Sequence, residues 1–285
     1  MGKIRIGTSG WTYAHWRGRF YPADLPQRRE LEYAAGMFTS LEVNGSFYGM
    51  IRHATWRNWR DSVPGGFKFA VKGSRFITHN KKLGDIRTPL ANFFASGILE
   101  LGKTLGPILW QVPASMRFNA DRVEEFFAQL PQRTDAAVEL AGQHDSRVED
   151  HPPPQSGNHR IRHAFEFRNR TFMTDDMVRI ARRHGVALAF SHSSQWPYVE
   201  QLTAGFVYLR LHGPRNLYAS RYGDSLDEWA VRIRAWSNGH LPKDSQVFSS
   251  LRPPYRKTRD VYVYFDNDHL AYATDEAAQL RDILG

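Results

Sequence analysis

Short apolar segments alternate with amphipathic segments along most of the 285-residue chain. Ile4–Thr8 alternates apolar and polar residues as a half-buried strand does. Ile108–Val112 is apolar apart from Gln111, as expected of a strand that is buried on both faces. Pro89–Leu105 instead repeats its large apolar residues at helical spacing. The pattern therefore predicts a strand followed by a helix, repeated about eight times.

The same pattern places each predicted element along the chain. The predicted strands are Ile4–Thr8, Ser40–Tyr48, Phe67–Lys72, Ile108–Val112, His163–Phe167, Val186–Ser191, Phe206–Leu211 and Val261–Phe265. The predicted helices are Arg28–Met37, a segment from near Ala54 to before Pro64, Pro89–Leu105, Ala120–Leu130, Asp175–His184, Leu226–Trp236 and Asp275–Leu284. Gly106-Pro107 is predicted to end the third of these helices. Ala136–Leu140 also fits a short strand, which makes the strand count eight or nine.

This alternation predicts an α/β fold. Buried strands separated by amphipathic helices pair in parallel through right-handed crossovers. Eight such units fit a TIM-like (β/α)8 barrel that forms a single domain over residues 1–285, with an open doubly wound sheet as the alternative. Two segments interrupt the pattern: a polar, Pro-rich segment at about 142–160, expected to be an exposed mobile loop, and an irregular segment at about 241–259.

Composition and charge narrow the class of protein. The chain is 41% hydrophobic and 24% charged, as globular proteins are, and no apolar run approaches 18 residues, so no membrane partner is expected. It contains no cysteine, which excludes disulfides. The N-terminal residues lead directly into the first predicted strand and show no signal-peptide pattern, which favours a cytoplasmic location. The net charge of +9 favours phosphate-bearing partners, although the basic residues are spread out and an unspecialised basic surface is an equal alternative.

The loop after the first strand combines glycines with aromatic side chains. Trp11 and Tyr13 follow the strand end closely, and their flat rings with polar edges would suit a planar or anionic ligand. Trp16, Phe20 and Tyr21 lie further along the loop and are expected to pack into the core. The loop is therefore predicted to contribute Trp11 and Tyr13 to a binding site.

Polar side chains recur near the ends of the predicted strands. In a barrel of this kind the active site lies at the C-terminal ends of the strands. The candidates at these ends are Glu42, Asn44, Lys72, His79, Gln111, Glu166, Arg168, Arg210, His212 and Asn267. Inward-facing charges need partners, so a polar pocket is favoured, with a buried ion network such as Glu166 with Arg210 as the alternative.

Three kinds of chemistry fit these residues. Histidine and carboxylate side chains could hold a divalent metal, but no compact ligand motif identifies one. Lys72, Arg168 and Arg210 could hold phosphate, since arginine binds its oxygens in pairs. Glu166 with His212 could act as an acid–base pair. The sequence contains no dinucleotide fingerprint, Walker loop or nucleophile elbow.

Motifs spread over nearly the whole chain form a recognisable combination. They include Gly7-Thr8-Ser9-Gly10-Trp11-Thr12-Tyr13, Leu41-Glu42-Val43-Asn44, Phe67-Lys68-Phe69, Gln111-Val112-Pro113, Glu166-Phe167-Arg168, His212-Gly213 and Asn267-Asp268. Together they resemble the domain of unknown function 72 family, the YecE-like proteins. The resemblance implies a TIM-like barrel distantly similar to the metal-dependent endonuclease IV and xylose isomerase group, and fold alone does not fix function. Asp266 stands where Asn is common in that family, and the 142–160 loop looks like an insertion.

These observations lead to one expected function. The chain is expected to bind a phosphate-bearing ligand, nucleic acid included, at the C-terminal face of the barrel and to hydrolyse phosphodiesters, with a divalent metal as a candidate cofactor. The expected catalytic residues are Glu42, Glu166 and His212, and the expected ligand-binding residues are Trp11, Tyr13, Asn44, Lys72, His79, Gln111, Arg168, Arg210 and Asn267. The alternatives are a non-catalytic nucleic-acid or sugar-phosphate binding protein and a small-molecule isomerase or lyase. The oligomeric state does not follow from the sequence.

Overall fold

The computed structural model describes residues 1–152 and 157–285, in which strands and helices alternate as expected of an α/β fold. The strands are β1 Ile4–Thr8, β2 Ser40–Val43, β3 Lys68–Lys72, β4 Leu105–Gln111, β5 His163–Glu166, β6 Ala187–Leu188, β7 Phe190–His192, β8 Phe206–Leu211 and β9 Asp260–Phe265. The helices are α1 Glu30–Met37, α2 Gly45–Tyr48, α3 His53–Asp61, α4 Arg87–Ala95, α5 Ala120–Ala128, α6 Thr134–Ala141, α7 Asp175–Arg183, α8 Leu226–Ser237 and α9 Tyr272–Leu284. No helix within the described residues is long and apolar enough to cross a membrane.

The strands form two parallel sheets, with the orders β1-β9-β8-β7 and β2-β3-β4-β5-β6. The pairing register brings polar residues side by side at the strand ends. Gln111 of β4 lies opposite Glu166 of β5, and Arg210 of β8 lies opposite Tyr264 of β9. Because all these strands run in parallel, their C-terminal ends lie at one edge of each sheet.

The two sheets approach each other at both ends. At one end a parallel bridge joins Ser9 to Glu42, and the Gly10 amide donates to the Glu42 carbonyl at 2.8 Å. At the other end only Ala189 separates β6 from β7. The Ala189 amide donates to the Phe165 carbonyl of β5 at 2.9 Å, whereas the next residue, Phe190, pairs with Leu209 of β8. One short segment therefore contacts both sheets.

Strand β8 has two buried faces with different neighbours. On β8, Val207, Leu209 and Leu211 belong to the large core that the helices cover, whereas Phe206 and Tyr208 belong to a smaller cluster on the opposite face. Because side chains alternate along a strand, the face of Phe206 and Tyr208 is also that of residues 210 and 212. Arg210, the charged residue of β8, therefore projects to this opposite face, here called the inner face.

Several predicted elements differ from the structure. The second strand ends at Val43 and not at Tyr48, since Gly45–Tyr48 forms the short helix α2. The strand prediction for Ala136–Leu140 was wrong: these residues lie in α6, which buries Thr134, Ala137 and Leu140 at helical spacing. A five-residue apolar run does not distinguish a strand from a buried helix segment.

The predicted helix Pro89–Leu105 is also divided. Helix α4 ends at Ala95, and Gly97 then takes a φ of 110°, in the left-handed region that favours glycine. A 3₁₀ segment, Ile98–Thr104, follows. Gly106-Pro107 was predicted to end a helix but lies inside β4, where Gly106 approaches β3 so closely that a Cβ atom would come within 2.8 Å of the Phe69 carbonyl oxygen.

The two irregular segments of the sequence are irregular in the structure as well. The described part of 142–160 forms turns and one isolated bridge between Arg160 and Arg133, and residues 153–156 lie outside the described residues. The 241–259 segment has no regular element but ends on a buried side chain. Arg259 is 1% exposed, and its guanidinium donates to the Gly239 carbonyl at 2.7 Å, which ties this segment to the turn after α8.

Candidate functional site

Arg210 lies at the centre of a buried cluster of charges. Its side chain is 1% exposed, and three carboxylates surround it. Nη2 lies 2.9 Å from Glu42 Oε1 and 3.0 Å from Asp266 Oδ2, and Nη1 lies 3.0 Å from Glu166 Oε2. Burial alone would lower the pKa of Arg210, but the carboxylates hold it well above the usual range. The ion network that was the alternative reading for Glu166 with Arg210 is present.

Glu42, on β2, is fully buried and has donors at both carboxylate oxygens. Oε2 accepts from the Tyr208 hydroxyl at 2.6 Å and from Arg210 Nε at 3.1 Å. Oε1 accepts from the Ser9 hydroxyl at 2.5 Å in addition to Arg210. Its two oxygens thus accept four hydrogen bonds, two of them from Arg210. Glu42 is therefore built into the support of Arg210.

Glu166 and Arg168 lie two residues apart at the end of β5 and bond to each other. Arg168 Nε donates to Glu166 Oε1 at 2.8 Å. The Arg168 side chain is 17% exposed, whereas Glu166 is fully buried. Burial would raise the pKa of Glu166, but Arg168 and Arg210 outweigh this effect and hold it far below the ordinary value. Glu166 is thus an anion that links the buried Arg210 to the partly exposed Arg168.

His212 lies directly after β8, between an acid and a hydroxyl. Its Nδ1 lies 2.9 Å from Asp266 Oδ2, in an angled approach that does not make a well-directed hydrogen bond. Its Nε2 lies 3.1 Å from the Ser191 hydroxyl. Burial and the neighbouring Arg210 lower the pKa of His212, so the ring is neutral near pH 7. A neutral imidazole with one nitrogen facing a hydroxyl is able to accept a proton.

Asp266 was noted in the sequence only as a departure from the family pattern. Burial would raise the pKa of its carboxyl group, but the neighbouring Arg210 guanidinium outweighs burial and lowers it. Asp266 is therefore ionised beside the His212 ring. The side chain is 14% exposed, more than Glu42 or Glu166, so it lies at the outer side of the cluster.

Trp196 and Ser191 are site residues that the sequence did not identify. Trp196 Nε1 donates to the Ser191 hydroxyl at 2.8 Å, and the guanidinium of Arg168 lies 3.8 Å from the centre of the indole ring. The indole also meets the His212 ring edge-on at 5.0 Å. Trp196 lies in an irregular segment after β7, where the sequence has no periodicity from which its position in the fold could be predicted. The only signal was that a predicted strand ended in Ser191.

Lys72 adds a third cation to the site, at the end of β3. Its Nζ lies 4.2 Å from the centre of the Phe47 ring, and burial together with Arg210 lowers its pKa to about 8. His79 packs edge-on against the same Phe47 ring at 5.0 Å, and burial and Lys72 lower its pKa to about 4. At neutral pH this side of the site therefore offers a charged lysine beside a neutral histidine.

Trp11, Tyr13 and Asn44 line a cavity of about 270 Å³ next to the charge cluster. Trp11 is 8% exposed and packs edge-on against Trp59 at 5.0 Å, so most of its ring is already covered. Tyr13 donates to the Ser9 carbonyl at 2.7 Å, and the Asn44 amide donates to the Ser9 hydroxyl at 2.9 Å. Trp16 and Tyr21 are buried in the core, as expected.

Gln111 and Asn267, two further predicted ligand-binding residues, bond within the protein. Gln111 is buried and donates to the Val112 carbonyl at 2.8 Å. Asn267 is fully buried and donates to Glu276 Oε2 at 2.7 Å and to the Ser220 carbonyl at 3.0 Å. Asn267 is thus tied to α9 and the loop after β8.

A basic cleft of about 300 Å³ opens beside α2 and the helical turn Phe76–Asn80. Arg75 and Arg147 line it, and two aromatic residues at its wall are unusually open: Tyr48 is 71% exposed and Phe76 is 38% exposed. The Ser46 hydroxyl, also in its wall, donates to the Lys72 carbonyl at 2.7 Å. The cleft therefore adjoins the end of β3.

The carboxylates of the cluster do not fit a divalent metal. Glu42, Glu166 and Asp266 each bond the Arg210 guanidinium, which already supplies the positive charge that a metal would supply. Elsewhere in the described residues, ligand atoms of His53, Glu100 and His151 lie within 4.8 Å of one another. There the two imidazoles are stacked 3.9 Å apart, and Glu100 bonds Arg57 at 2.9 Å, so this group is not arranged around a common ion either.

Comparison with solved structures shows the same fold in two bacterial proteins. A DUF72 family protein from Thermotoga maritima MSB8 is 21% identical, with a TM-score of 0.72 and 99% of each chain covered. A DUF72 family protein from Enterococcus faecalis V583 is 15% identical, with a TM-score of 0.65 in two crystal structures, one of which covers 100% of this chain and 98% of that one. Likenesses at these identities show fold alone.

A comparison with protein families gives the same assignment over almost the full length. The family described as protein of unknown function DUF72 matches residues 5–285. No curated protein matches the chain as a relative. The resemblance seen in the sequence motifs is thereby confirmed, and the chain belongs to the DUF72 family.

Proposed function

We propose that the two sheets close into one TIM-like barrel, a single domain over the chain, whose C-terminal rim binds a phosphate-bearing ligand and hydrolyses phosphodiesters. The bridge from Ser9 to Glu42 and the shared segment around Ala189 support closure. If β6 and β7 count as one interrupted strand, eight strands surround the inner face, as in a (β/α)8 barrel.

The observation that carries the proposal is the pairing of two rim cations with a neutral histidine. Lys72 and Arg168 lie at the ends of β3 and β5 and are less buried than Arg210, and His212 lies in the same charge network. Arginine and lysine together favour a phosphate group, and a neutral imidazole can accept a proton from an attacking hydroxyl or water. In this proposal Lys72 and Arg168 hold the phosphate.

The other charged residues act through Arg210. Its donors are used by Glu42, Glu166 and Asp266, so Arg210 orders the network and does not grip the ligand. The pKa of Glu166 is lowered, and Glu42 already accepts from several donors, so we assign both residues to positioning Arg210 and Arg168. His212 is left as the acid–base residue.

Nucleic acid is the favoured form of the ligand. The cleft beside β3 combines Arg75 and Arg147 with the exposed rings of Tyr48 and Phe76. Cations that neutralise phosphates and aromatic faces on which bases stack are the two elements of single-strand binding. The surplus of positive charge over the whole chain, +9, acts in the same direction.

The test measures turnover and binding on the same preparation. We expect hydrolysis of bis(4-nitrophenyl) phosphate, reduced at least tenfold in His212→Ala, since a general base contributes roughly 10²–10⁴-fold. His240→Ala, at an exposed position, is the matched control and keeps its activity. Turnover that is equal in the His212 and His240 variants would mean a contaminating enzyme and would sink the catalytic proposal.

A binding measurement separates catalysis from binding alone. We expect a fluorescent single-stranded oligonucleotide to bind with an affinity that falls as salt rises, because phosphate contacts release counterions. Binding without turnover would support the non-catalytic alternative. Affinity that does not change with salt would exclude the phosphate contacts on which both versions depend.

A further inference from the structure

Ser191, His212 and Asp266 form a chain of three polar groups in the cluster. The Ser191 hydroxyl lies 3.1 Å from His212 Nε2, and His212 Nδ1 lies 2.9 Å from Asp266 Oδ2. The three come from β7, from the residue after β8 and from the residue after β9, which are neighbouring strands of one sheet. Hydroxyl, imidazole and carboxylate in this order are the arrangement in which a histidine activates a serine.

The hydrogen bonds around this chain orient the serine proton toward the histidine. Trp196 Nε1 can only donate, so the Ser191 oxygen accepts at 2.8 Å and its own proton is left for His212 Nε2. Arg210 Nη1, also a donor, lies 3.4 Å from the same Nε2. Nε2 is therefore an acceptor, and the ring proton lies on Nδ1, facing Asp266. The angled approach to Asp266 is of the kind that tightens when a ligand binds.

Trp196 separates this chain from solvent. Ser191 is 2% exposed and His212 is fully buried. The Trp196 indole bonds Ser191 through Nε1 and meets the His212 ring edge-on at 5.0 Å, and the Arg168 guanidinium lies 3.8 Å from the centre of the indole ring. Arg168 is also one of the two cations, with Lys72, that are proposed to hold the phosphate. A ligand anion that draws Arg168 toward itself would loosen the stack on Trp196 and open the way to Ser191.

We propose that Ser191 is a nucleophile that attacks the phosphorus atom of the ligand, with His212 as its base, Asp266 as the residue that positions His212, and Trp196 as a cover. The choice of a phosphorus centre rests on the proposed function. The serine itself, its base and its cover are independent of that choice.

The chemical step balances without any further reactant than water. The Ser191 oxygen forms a bond to phosphorus, its proton passes to His212 Nε2, and the bond from phosphorus to the leaving alkoxide breaks. His212 then protonates that alkoxide, which departs as an alcohol and leaves a phosphoserine diester. Water attacks the same phosphorus atom, gives its proton to His212, and releases the Ser191 oxygen, which takes the proton back.

A fluorophosphonate probe tests the nucleophile without knowledge of the natural substrate. Attack by Ser191 on the probe releases fluoride and leaves a stable adduct that mass spectrometry locates. We expect an adduct on Ser191, lost in Ser191→Ala and formed at least tenfold more slowly in Asp266→Asn. Ser194→Ala removes an exposed hydroxyl three residues away and should label as the wild type does.

A second variant controls for the case in which Trp196 keeps the probe from reaching Ser191 in the wild type. Trp196→Ala should label faster than the wild type, since it uncovers Ser191. If neither the wild type nor folded Trp196→Ala carries an adduct on Ser191, the inference is overturned.

The two proposals can fail separately. Unchanged hydrolysis of bis(4-nitrophenyl) phosphate in Ser191→Ala would overturn the role of Ser191 and leave the proposed function intact. An adduct on Ser191 that depends on His212 and Asp266, in a protein that hydrolyses no phosphodiester, would support the nucleophile and reject the proposed substrate.

Discussion

The guanidinium of Arg210 and the carboxylate of Glu42 face each other with two hydrogen bonds, from Nε to Oε2 at 3.1 Å and from Nη2 to Oε1 at 2.9 Å. Neither side chain is more than 1% exposed. Paired geometry of this kind offsets the high cost of removing both charges from water. The pair crosses the inner face of the protein between β2 and β8, so it fixes the distance between the two sheets where the site lies.

Removing the Arg210 charge should strongly destabilise the protein. Arg210→Met leaves three carboxylates buried without their partner, and breaking a buried pair from one side costs about 3–5 kcal/mol. The midpoint of urea unfolding should fall accordingly. Arg122→Met, at an exposed position of α5, is the control. Equal midpoints for the two variants would show that the network contributes nothing to stability.

Binding of a dinucleotide should weaken as the pH rises from 7 to 9. Lys72 has a pKa of about 8, so it is mostly charged at pH 7 and mostly neutral at pH 9, whereas a phosphodiester does not titrate in this range. The affinity should fall by roughly tenfold, as the charged fraction of the lysine does. Lys72→Arg should abolish the fall, since a guanidinium stays charged. Calorimetric titration at pH 7 and pH 9 measures the affinity for the dinucleotide. A fall in affinity that persists in Lys72→Arg would contradict the assignment of Lys72 to phosphate binding.

Acid should destabilise the protein through buried histidine. His163 is 1% exposed, accepts from Trp110 Nε1 at 3.1 Å, and has its pKa lowered by burial to about 4. Because the unfolded chain binds the proton more readily, this contribution to stability is present above about pH 6.5 and is lost as the pH falls toward 4.

The loss between pH 7 and pH 5 should be about 2 kcal/mol for His163 alone. Urea unfolding at both pH values, in the wild type and in His163→Gln, isolates this contribution from those of other groups. His240→Gln is the exposed control. If the pH dependence is the same in all three proteins, His163 is not the source.

Two glycines should respond oppositely to the same substitution. A Cβ atom on Gly7 of β1 would lie 1.7 Å from the Ser40 carbonyl oxygen, a backbone atom that cannot move aside cheaply, whereas one on Gly36 of α1 meets nothing within 4 Å. Gly7→Ala should lower stability by at least about 2 kcal/mol. Gly36→Ala should raise it by about 0.5–1 kcal/mol, because alanine favours a helix. Thermal melts compare the two, and a neutral Gly7→Ala would contradict the close approach of β1 to β2.

Glu166→Gln should reduce turnover while the protein stays folded. The amide replaces a carboxylate that accepts from Arg168 and Arg210, so the rim arginine loses its anchor. Misplacement of a binding group costs roughly 100-fold in rate. Glu125→Gln, on the exposed side of α5, is the control for hydrolysis of bis(4-nitrophenyl) phosphate. Turnover in Glu166→Gln equal to that of the control would remove Glu166 from the site.

Much of the fold was accessible from the sequence because the signals are local. The alternation along Ile4–Thr8 and the apolar spacing in Ala120–Leu130 identified a strand and a helix close to those observed. Predictions failed where a short apolar run fitted two structures, as at Ala136–Leu140, or where a glycine served a close contact in a strand, as at Gly106. Such contacts depend on a partner that periodicity does not reveal.

The sequence by itself determined that Glu42, Glu166, Arg210 and His212 lie at strand ends, and that those two residues apart share a face, because alternation is a property of each strand alone. Only the tertiary structure decided what these residues touch. Arg210 and Glu42 are 168 positions apart, and Ser191 meets His212 and Trp196 through strand order and loop path. Distances between such residues are set by the pairing register and by the packing of distant segments. For this reason the sequence predicted most of the site residues, while only the tertiary structure separated the residues that position others from those proposed to react.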